Sequence, residues 1–416
     1  MGRSIKLVDW WIGIGLLFPL FFQLSGGIYK DFWTDSGGNI ATLPLPIAVL
    51  ACFSGLALLY KQFCRAYIAA TFVASFVFVL FLSVVFASPE SRVEFRKLIL
   101  LAQFIMPAFA LILGQMVNDE DKIIAKAFLT VLLVIVPFQL AAGWMQGTLT
   151  LTHSLYIFSI YQHFQFVPVV FVCAYSYAAF ALCGTHRMWL VILLPFMCIY
   201  ALESLSFLTI AASIIFAAVF VWRKLGADKK SSGARASAIL LVVIAIAIAG
   251  IGAYAAIANR NSNMIGDPGQ YFGKLHSIAE GKLPSNVSER LADWKLFGTG
   301  IIESPRTMAF GHVEPLAREV RTSAHNWYID IAYSFGLVSL LPVLLLIGYT
   351  TYLFRRSRNA LPLETLGLCL VVFYLVVVDS NFKVTLRQPY PGIFACFMWG
   401  LLLSRLHPLT AARPNA

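Results

Sequence analysis

The sequence predicts an all-α integral membrane protein with about twelve transmembrane helices and one large extramembrane loop. Three observations support this. Of the 416 residues, 59% are apolar and only 12% are charged, about half the charged fraction that is typical of soluble domains. The apolar residues occur in blocks of roughly 16–25 residues, long enough to cross about 30 Å of hydrocarbon as helices. Segments of about ten residues with alternating polarity do not occur, which argues against a transmembrane β-barrel.

Apolar blocks separated by short polar breaks predict the position of each span. The first block follows Asp9 and has no small-x-small cleavage site after it, so we expect a retained span and not a cleaved signal peptide. The predicted spans lie near residues 9–24, 45–60, 66–87, 97–117, 123–146, 166–183, 188–203, 206–222, 237–257, 326–354, 361–379 and 391–404. They divide the chain into a bundle of helices at 1–257, a loop with short helices at 258–325, and three further spans with a tail at 326–416.

The distribution of lysine and arginine predicts the orientation of the bundle. One set of short loops carries "KQFCR", "RKLGADKKSSGAR" and "FRRSR", whereas the opposite set is poorer in basic residues. Because basic residues accumulate in cytoplasmic loops, we expect both termini in the cytoplasm and the large loop on the outer side. The formal net charge of +11 partly reflects this bias. The seven cysteines have no metal or redox spacing, so neither a zinc site nor a disulfide framework is expected.

The segment "TSAHNWYIDIAYSFG" places His325 and Asn326 at the start of a predicted span, directly after a basic stretch with Arg318 and Arg321. Imidazole exchanges its proton nearest neutral pH, which suits a general base. The Asn326 amide supplies a donor and an acceptor beside it, and Tyr328 falls on the same helical stripe. We therefore predict His325 as a catalytic residue and the others as substrate-binding residues. The alternative is an aromatic belt with a polar cap at the membrane interface.

Two further sets of basic residues are predicted on the outer side. Arg92 and Arg96 are spaced i, i+4, and Lys97 follows directly. Such a pair shares one helical face and suits a phosphate or diphosphate. In "SERLADWKLFGTG", Arg290 and Trp294 have the same spacing on a short amphipathic helix that we expect to lie on the membrane surface. The alternative for each set is solvation or snorkelling at the interface.

Acidic residues give weaker signals. Asp31 and Asp35 lie in the first outer loop, where they could bind a metal ion or form a turn. Asp379 ends a predicted span and is a candidate because carboxylates are costly in the membrane. Asp267 and Asp293 in the large loop have no supporting context. No set of His, Asp and Glu on the outer side has a recognisable ligand spacing, so we expect no metal ion.

These features together resemble the O-antigen ligase and polymerase superfamily of bacterial inner membranes, and within it the O-antigen ligases. The shared features are about twelve spans, a large outer loop late in the chain, an Arg four residues before a Trp, and a Gly-x-Gly. A His-Asn pair then opens the next helix, with a Gly eleven residues after the His. The topology is similar over the whole chain, whereas the motifs are confined to about residues 288–340.

The resemblance implies a GT-C-like membrane glycosyltransferase for lipopolysaccharide biosynthesis. It would transfer a glycan from undecaprenyl diphosphate to a sugar hydroxyl of lipid A-core, at the periplasmic face of the inner membrane. His325 matches the His of the family's His-Asn motif, and Arg290 matches the Arg before the Trp, so we predict both as catalytic residues and Trp294 as a substrate-binding residue. The implied partners are the lipid-linked donor, the lipid A-core acceptor and membrane lipids, without nucleic acid. The family reaction implies neither a metal ion nor any other cofactor.

One departure from the family pattern leaves alternatives open. Many members carry Ser-Arg near the short hairpin, where this chain reads "SLSF" with Phe207. Anion binding could then shift to Arg92, Arg96 or Arg387. A glycan polymerase on the same fold, with a second lipid-linked glycan as acceptor, therefore remains an alternative. A transporter or lipid flippase is disfavoured, because no convincing internal repeat occurs and the charged residues cluster at one face.

Overall fold

The computed structural model of the protein describes residues 2–23, 44–87, 95–119, 121–145, 163–204, 206–226, 280–281, 285–313, 323–358 and 361–411. Within these ranges the chain is predominantly helical, so the predicted all-helical class is confirmed. The exception is a pair of three-residue antiparallel strands, β1 (Phe21–Gln23) and β2 (Pro44–Pro46). The predicted span at 237–257 and half of the predicted loop at 258–325 lie outside the described residues.

The first half of the described chain contains eight α-helices, each of which overlaps a predicted apolar block. A short 3-10 helix at Tyr60–Ala66 leads directly into the third of them. The eight are α1 (Gly2–Leu17), α2 (Ile47–Leu58), α3 (Tyr67–Ala87), α4 (Phe95–Met116), α5 (Ile123–Met145), α6 (His163–Leu182), α7 (Arg187–Glu203) and α8 (Phe207–Gly226).

The second half of the described chain contains shorter and more interrupted helices. A π-helical turn (Tyr374–Val378) and a 3-10 turn (Asp379–Asn381) extend the penultimate helix. The α-helices are α9 (Ser285–Ile301), α10 (Pro305–Phe310), α11 (Trp327–Phe335), α12 (Leu340–Ser357), α13 (Leu363–Phe373) and α14 (Pro389–Ala411).

Four helical stretches in the described residues are long and apolar enough to cross a membrane. They are Tyr60–Ala87, Ile123–Ala142, Leu337–Ser357 and Leu363–Asn381. Large apolar side chains on them are exposed, including Phe78, Phe81, Val134 and Leu345. A row of exposed apolar side chains on a long helix is typical of contact with lipid. These helices indicate a membrane protein, while the number of about twelve spans stays a prediction.

The structure divides the predicted span at 326–354 at Gly336, and the part after this break belongs to the membrane-length stretch Leu337–Ser357. Gly336 has a φ of 76° and caps the C-terminal end of α11. A Cβ atom there would overlap the carbonyl group of Ala309, so both the backbone angle and the close approach require glycine. The short 3-10 helix Leu337–Ser339 then leads into α12. The His-Asn segment therefore opens a separate nine-residue helix and not a full span.

The C-terminal carbonyl groups of α11 are hydrogen-bonded inside the protein. A buried helix end needs such partners, because its last carbonyls have no donors within the helix. The segment that follows α10 supplies two backbone N–H donors, and α3 supplies a hydroxyl donor. The pairs are His312 to Tyr333 at 3.0 Å, Val313 to Ser334 at 2.7 Å, and the Ser83 hydroxyl to Phe335 at 2.7 Å. Both α10 and α3 therefore hold α11 in place.

Helices α4 and α14 pack side by side through glycine. A Cβ atom at Gly114 would overlap the carbonyl oxygen of Phe397, and one at Gly400 would overlap that of Leu111. Small residues at such a crossing let two backbones approach closely. The two helices run in the same direction, since Gln103 lies beside residue 387 at one end and Asp119 contacts residue 405 at the other. The candidate site lies at the end of this helix pair where Gln103 meets residue 387.

Candidate functional site

Three elements meet at the site: α9, the N-terminal end of α11, and residues 379–388 between α13 and α14. An apolar cluster joins α9 to α11. Its buried members are Phe297, Ile301, Ala324, Ala332 and Tyr333, and Trp294 packs against them. The Phe297 and Tyr333 rings meet edge to face, with centroids 4.9 Å apart. This packing fixes the helix that carries Arg290 and Trp294 relative to the residues around His325.

His325 lies in the turn directly before α11 and has a left-handed backbone, with a φ of 52°. This conformation is unfavourable for a residue with a Cβ atom, and it persists only where the surrounding structure holds it. Its backbone N–H donates to the Ser323 hydroxyl at 3.0 Å. The side chain is 46% exposed, and its Nδ1 atom lies 3.5 Å from Oδ2 of Asp293, whose side chain is only 5% exposed. The imidazole thus has one side against a buried carboxylate and another open.

Asp330, in the first turn of α11, holds the turn that contains His325. Its Oδ1 atom accepts a hydrogen bond from the Ala324 backbone N–H at 2.7 Å. Its Oδ2 atom accepts from the Ser323 hydroxyl at 3.2 Å and from Nη1 of Arg387 at 3.1 Å. Because Asp330 is 2% exposed, these three bonds satisfy a carboxylate that water scarcely reaches. The left-handed turn is therefore anchored by a buried ion pair.

Arg387 was predicted as a substrate-binding residue, but its contacts are within the protein. Besides the ion pair with Asp330, its Nε atom donates to Oε1 of Gln103 at 3.0 Å. Its guanidinium carbon lies 5.6 Å from the centre of the Phe104 ring, a distance typical of a cation–π contact. The side chain is 12% exposed. This geometry favours a structural role for Arg387 over direct contact with a phosphate.

Asn326 and Tyr328 are also used inside the fold. Asn326 is the N-cap of α11, and its Oδ1 atom accepts from the backbone N–H groups of Tyr328 and Ile329 at 2.9 and 3.2 Å. Its Nδ2 atom donates to Oδ1 of Asn381 at 3.2 Å. The Tyr328 hydroxyl donates to the Val376 carbonyl oxygen at 2.8 Å. Both residues that were predicted to contact substrate therefore tie α11 to the turns that follow α13.

A buried ion pair lies between α13 and α14. Nζ of Lys383 is 3.4 Å from Oδ1 of Asp379, and the two side chains are 6% and 1% exposed. The Thr385 hydroxyl donates to the other carboxylate oxygen of Asp379. Burial lowers the pKa of Lys383, and the Asp379 carboxylate opposes this effect. The sequence singled out Asp379 but missed Lys383. The signal for Lys383 was its position four residues after Asp379.

Arg290 on α9 lies within electrostatic reach of two carboxylates, those of Asp379 and Asp293. Its side chain is half-buried, and burial lowers the pKa of its guanidinium, while the charges of Asp379 and Asp293 raise it. Arg290 also lies close enough to Lys383 to disfavour the charged form of that lysine. Since Asp293 contacts His325 and lies within electrostatic reach of Arg290, the structure brings the two predicted catalytic residues into one site.

Asp293 is the site residue that sequence reasoning dismissed. It stands directly before Trp294 and three residues after Arg290, so it shares a helical face with that arginine. This spacing was a signal, but it does not say which residue of another element the carboxylate meets. Trp294 itself is partly buried, and its Nε1 atom has no hydrogen-bond partner among the described residues.

The remaining predicted basic residues lie at the edge of what the structure describes. Arg96 and Lys97 belong to the first turns of α4, and Arg96 stands seven residues before Gln103, on the same helical face. Arg92, Arg318 and Arg321 lie outside the described residues. Their roles in substrate binding therefore stay predictions.

Metal binding was not expected from the sequence. Within the described ranges, no group of three or more His, Cys, Asp or Glu side chains could hold a metal ion. Asp31 and Asp35, the residues that the sequence offered for this role, lie outside those ranges, so the prediction of a metal-free reaction remains to be tested.

The fold and the site indicate a helical membrane protein in which charged residues gather near His325, a half-exposed residue with a left-handed backbone. No family model matches the chain, and no curated protein matches its sequence.

Proposed function

We propose that this protein is an O-antigen ligase, a membrane glycosyltransferase that moves a glycan from undecaprenyl diphosphate to a sugar hydroxyl of lipid A-core. In this proposal it spans the bacterial inner membrane about twelve times in a GT-C-like arrangement, with both termini cytoplasmic and residues 258–325 periplasmic. The observation that carries the proposal is the assembly of His325, Asp293 and Arg290 at one end of the helical bundle. An imidazole can take the proton of the acceptor hydroxyl, and a nearby cation can stabilise the leaving diphosphate.

The proposed step exchanges one bond for another at the anomeric carbon of the donor glycan. The acceptor hydroxyl oxygen forms the new bond to that carbon, and the bond from the carbon to the diphosphate oxygen breaks. The electron pair of the broken bond leaves with the diphosphate, and the hydroxyl proton passes to the imidazole of His325. A positioned general base typically contributes about a hundred- to ten-thousand-fold to such a rate.

Negative charge grows on the leaving diphosphate, so the site needs fixed positive charge. Arg290 supports this role because its side chain is only half-buried and carries a planar fork of donors that matches two phosphate oxygens. In the proposal, Arg96 and Lys97 at the start of α4, with Arg92, Arg318 and Arg321 in neighbouring segments, add further positive charge. Fixed guanidinium groups of this kind would perform the task that a divalent ion performs in other glycosyltransferases.

The test is glycan transfer by the purified protein in proteoliposomes that contain an undecaprenyl-diphosphate-linked glycan, with and without lipid A-core. We expect product only when both are present, detected as a mass increase of the lipid A-core. His325→Ala should abolish transfer, Arg290→Ala should lose it, and Arg290→Lys should recover little, because an ammonium cannot make bidentate contacts.

Arg306→Lys is the matched control, because Arg306 is an exposed arginine on α10 that donates to the Phe86 carbonyl oxygen. It should retain transfer. Chain extension of the lipid-linked glycan without lipid A-core would identify a polymerase instead. Substrate-dependent flux across the vesicle membrane without new glycosidic bonds would identify a transporter. Near-normal transfer by a well-expressed His325→Ala protein would remove His325 from the mechanism.

A further inference from the structure

We propose that Asp293 is a positioning residue for His325, so that the two form a carboxylate–imidazole dyad in which Asp293 holds Nδ1 and leaves Nε2 to accept the proton. This inference rests on the proposed function and deepens it, because it names the group that orients the general base. The contact that motivates it joins two elements: Asp293 belongs to α9, and His325 belongs to the turn before α11.

The direction of the contact decides which ring nitrogen is available. Nδ1 of His325 lies 3.5 Å from Oδ2 of Asp293. The two ring nitrogens point in different directions, and the one that donates to a carboxylate determines the tautomer. With its proton on Nδ1, the neutral imidazole presents the lone pair of Nε2 to an incoming hydroxyl. The distance is at the outer limit of a hydrogen bond, and such contacts commonly tighten when substrate binds.

The difference in burial between the two partners fits this division of roles. Asp293 is 5% exposed, whereas His325 is 46% exposed. A buried carboxylate has little competing water, and the low local dielectric strengthens its attraction to the imidazole. The exposed part of the ring remains accessible to an acceptor. An orienting group should be buried and a proton acceptor should be reachable, and the two residues divide these properties.

The surrounding structure aims the imidazole at α9. Asp330 fixes the backbone on one side through Ala324 and Ser323, and the Ser323 hydroxyl also accepts from the His325 N–H. The left-handed φ of His325 is thus held by bonds that do not involve its ring. Because the apolar cluster fixes α9 against α11, the carboxylate and the imidazole face each other across two rigid elements.

Each of the packed elements contributes charged groups to the site. Arg290 comes from α9, the Asp330–Arg387 pair comes from α11 and the segment before α14, and the Asp379–Lys383 pair follows α13. Asp293 also lies within electrostatic reach of Arg290. A merely structural role for Asp293, to balance the charge of Arg290, is therefore the competing explanation. The experiment has to separate the two.

The first measurement uses the unaltered protein. Nitrogen-15 spectra of histidine-labelled protein in detergent micelles report the tautomer of each neutral imidazole, and His325→Gln identifies the His325 signals among the seven histidines. We expect neutral His325 to carry its proton on Nδ1. In Asp293→Asn the amide can donate to Nδ1, so the proton should move to Nε2 and the spectrum should change accordingly. If neutral His325 in the unaltered protein carries its proton on Nε2, the dyad is overturned.

The second measurement is the rate of transfer to lipid A-core. Loss of the correct tautomer in a comparable dyad lowers kcat by about 10⁴-fold, so Asp293→Asn should lower kcat by roughly 10²–10⁴-fold with little change in KM for the donor. Asp293→Glu, which keeps the carboxylate, should recover part of the loss. Glu289→Gln is the matched control, because it changes an exposed carboxylate one turn earlier on the same helix. It should behave as the unaltered protein.

The outcomes separate this inference from the proposed function. If the unaltered protein transfers glycan and His325→Ala does not, but Asp293→Asn keeps its kcat within about threefold, well short of the loss that a wrong tautomer causes, the positioning role is wrong. If KM for the donor rises instead of kcat falling, Asp293 acts on Arg290 and the dyad is again wrong. If the unaltered protein shows no transfer, the proposed function fails, and the tautomer of His325 still decides whether the dyad exists.

Discussion

Replacing Asp330 with alanine should destabilise the protein by about 3–5 kcal/mol, because it removes one partner of a buried ion pair and leaves the other charge buried. Asp330 is 2% exposed and accepts three hydrogen bonds, from Ala324, Ser323 and Arg387. The substitution also leaves the buried Ala324 N–H without its acceptor, which costs about 1–3 kcal/mol where water does not enter. Arg387 keeps its hydrogen bond to Gln103, which reduces the total loss of stability.

The free energy of unfolding can be measured by denaturant titration of the purified protein in mixed micelles. Asp330→Asn keeps an oxygen for the Ala324 N–H but removes the charge, so it should lower the free energy of unfolding by less than Asp330→Ala does. A double variant with Arg387→Met should be less destabilised than the sum of the two single variants, because it no longer buries an unpaired guanidinium.

Asp121→Ala is the control for ion pairing as such. Asp121 pairs with Lys6 at 2.6 Å, a shorter distance than that between Asp330 and Arg387, but both side chains are more than half exposed. Exposed ion pairs contribute little to stability, so this variant should have the same free energy of unfolding as the unaltered protein. If Asp330→Ala changes the free energy of unfolding no more than Asp121→Ala does, the contacts of Asp330 do not stabilise the fold and the reasoning is refuted.

Two further predictions concern the packing of α14 on α4 and the metal requirement. Gly400→Ala should destabilise the packing of α14 on α4, because the added Cβ overlaps the backbone of α4, whereas Gly348→Ala meets no atom within 4 Å and should be neutral or slightly stabilising. Equal unfolding midpoints for the two variants would contradict the close approach. Glycan transfer should survive metal stripping with EDTA and should persist in Asp31→Asn and Asp35→Asn. If metal stripping abolishes transfer, Mg²⁺ or Mn²⁺ restores it, and the two Asn variants are inactive, the chemistry belongs to the first loop.

Much of the architecture followed from local sequence patterns. Apolar blocks of membrane-spanning length predicted the helices, because every backbone polar group must be satisfied within the segment when lipid surrounds it. The polar pair His325 and Asn326 marked a helix start, and the structure makes Asn326 the N-cap of α11. The spacing of Arg290 and Trp294 predicted a short helix; both residues lie on α9, which with 17 residues is longer than expected. Each of these features depends on residues within a few positions of one another.

The contacts that make the site were decided only by the tertiary structure. Asp293 meets His325 across 32 positions, and Arg387 meets Asp330 across 57. The sequence assigned Arg387 to substrate and dismissed Asp293, and the structure gives the first a carboxylate partner and the second an imidazole. It also ends α11 at Gly336, where the sequence predicted a continuous span. Periodicity reports which face a residue occupies, whereas the partner of a buried charge depends on which elements the packing of the whole chain brings together.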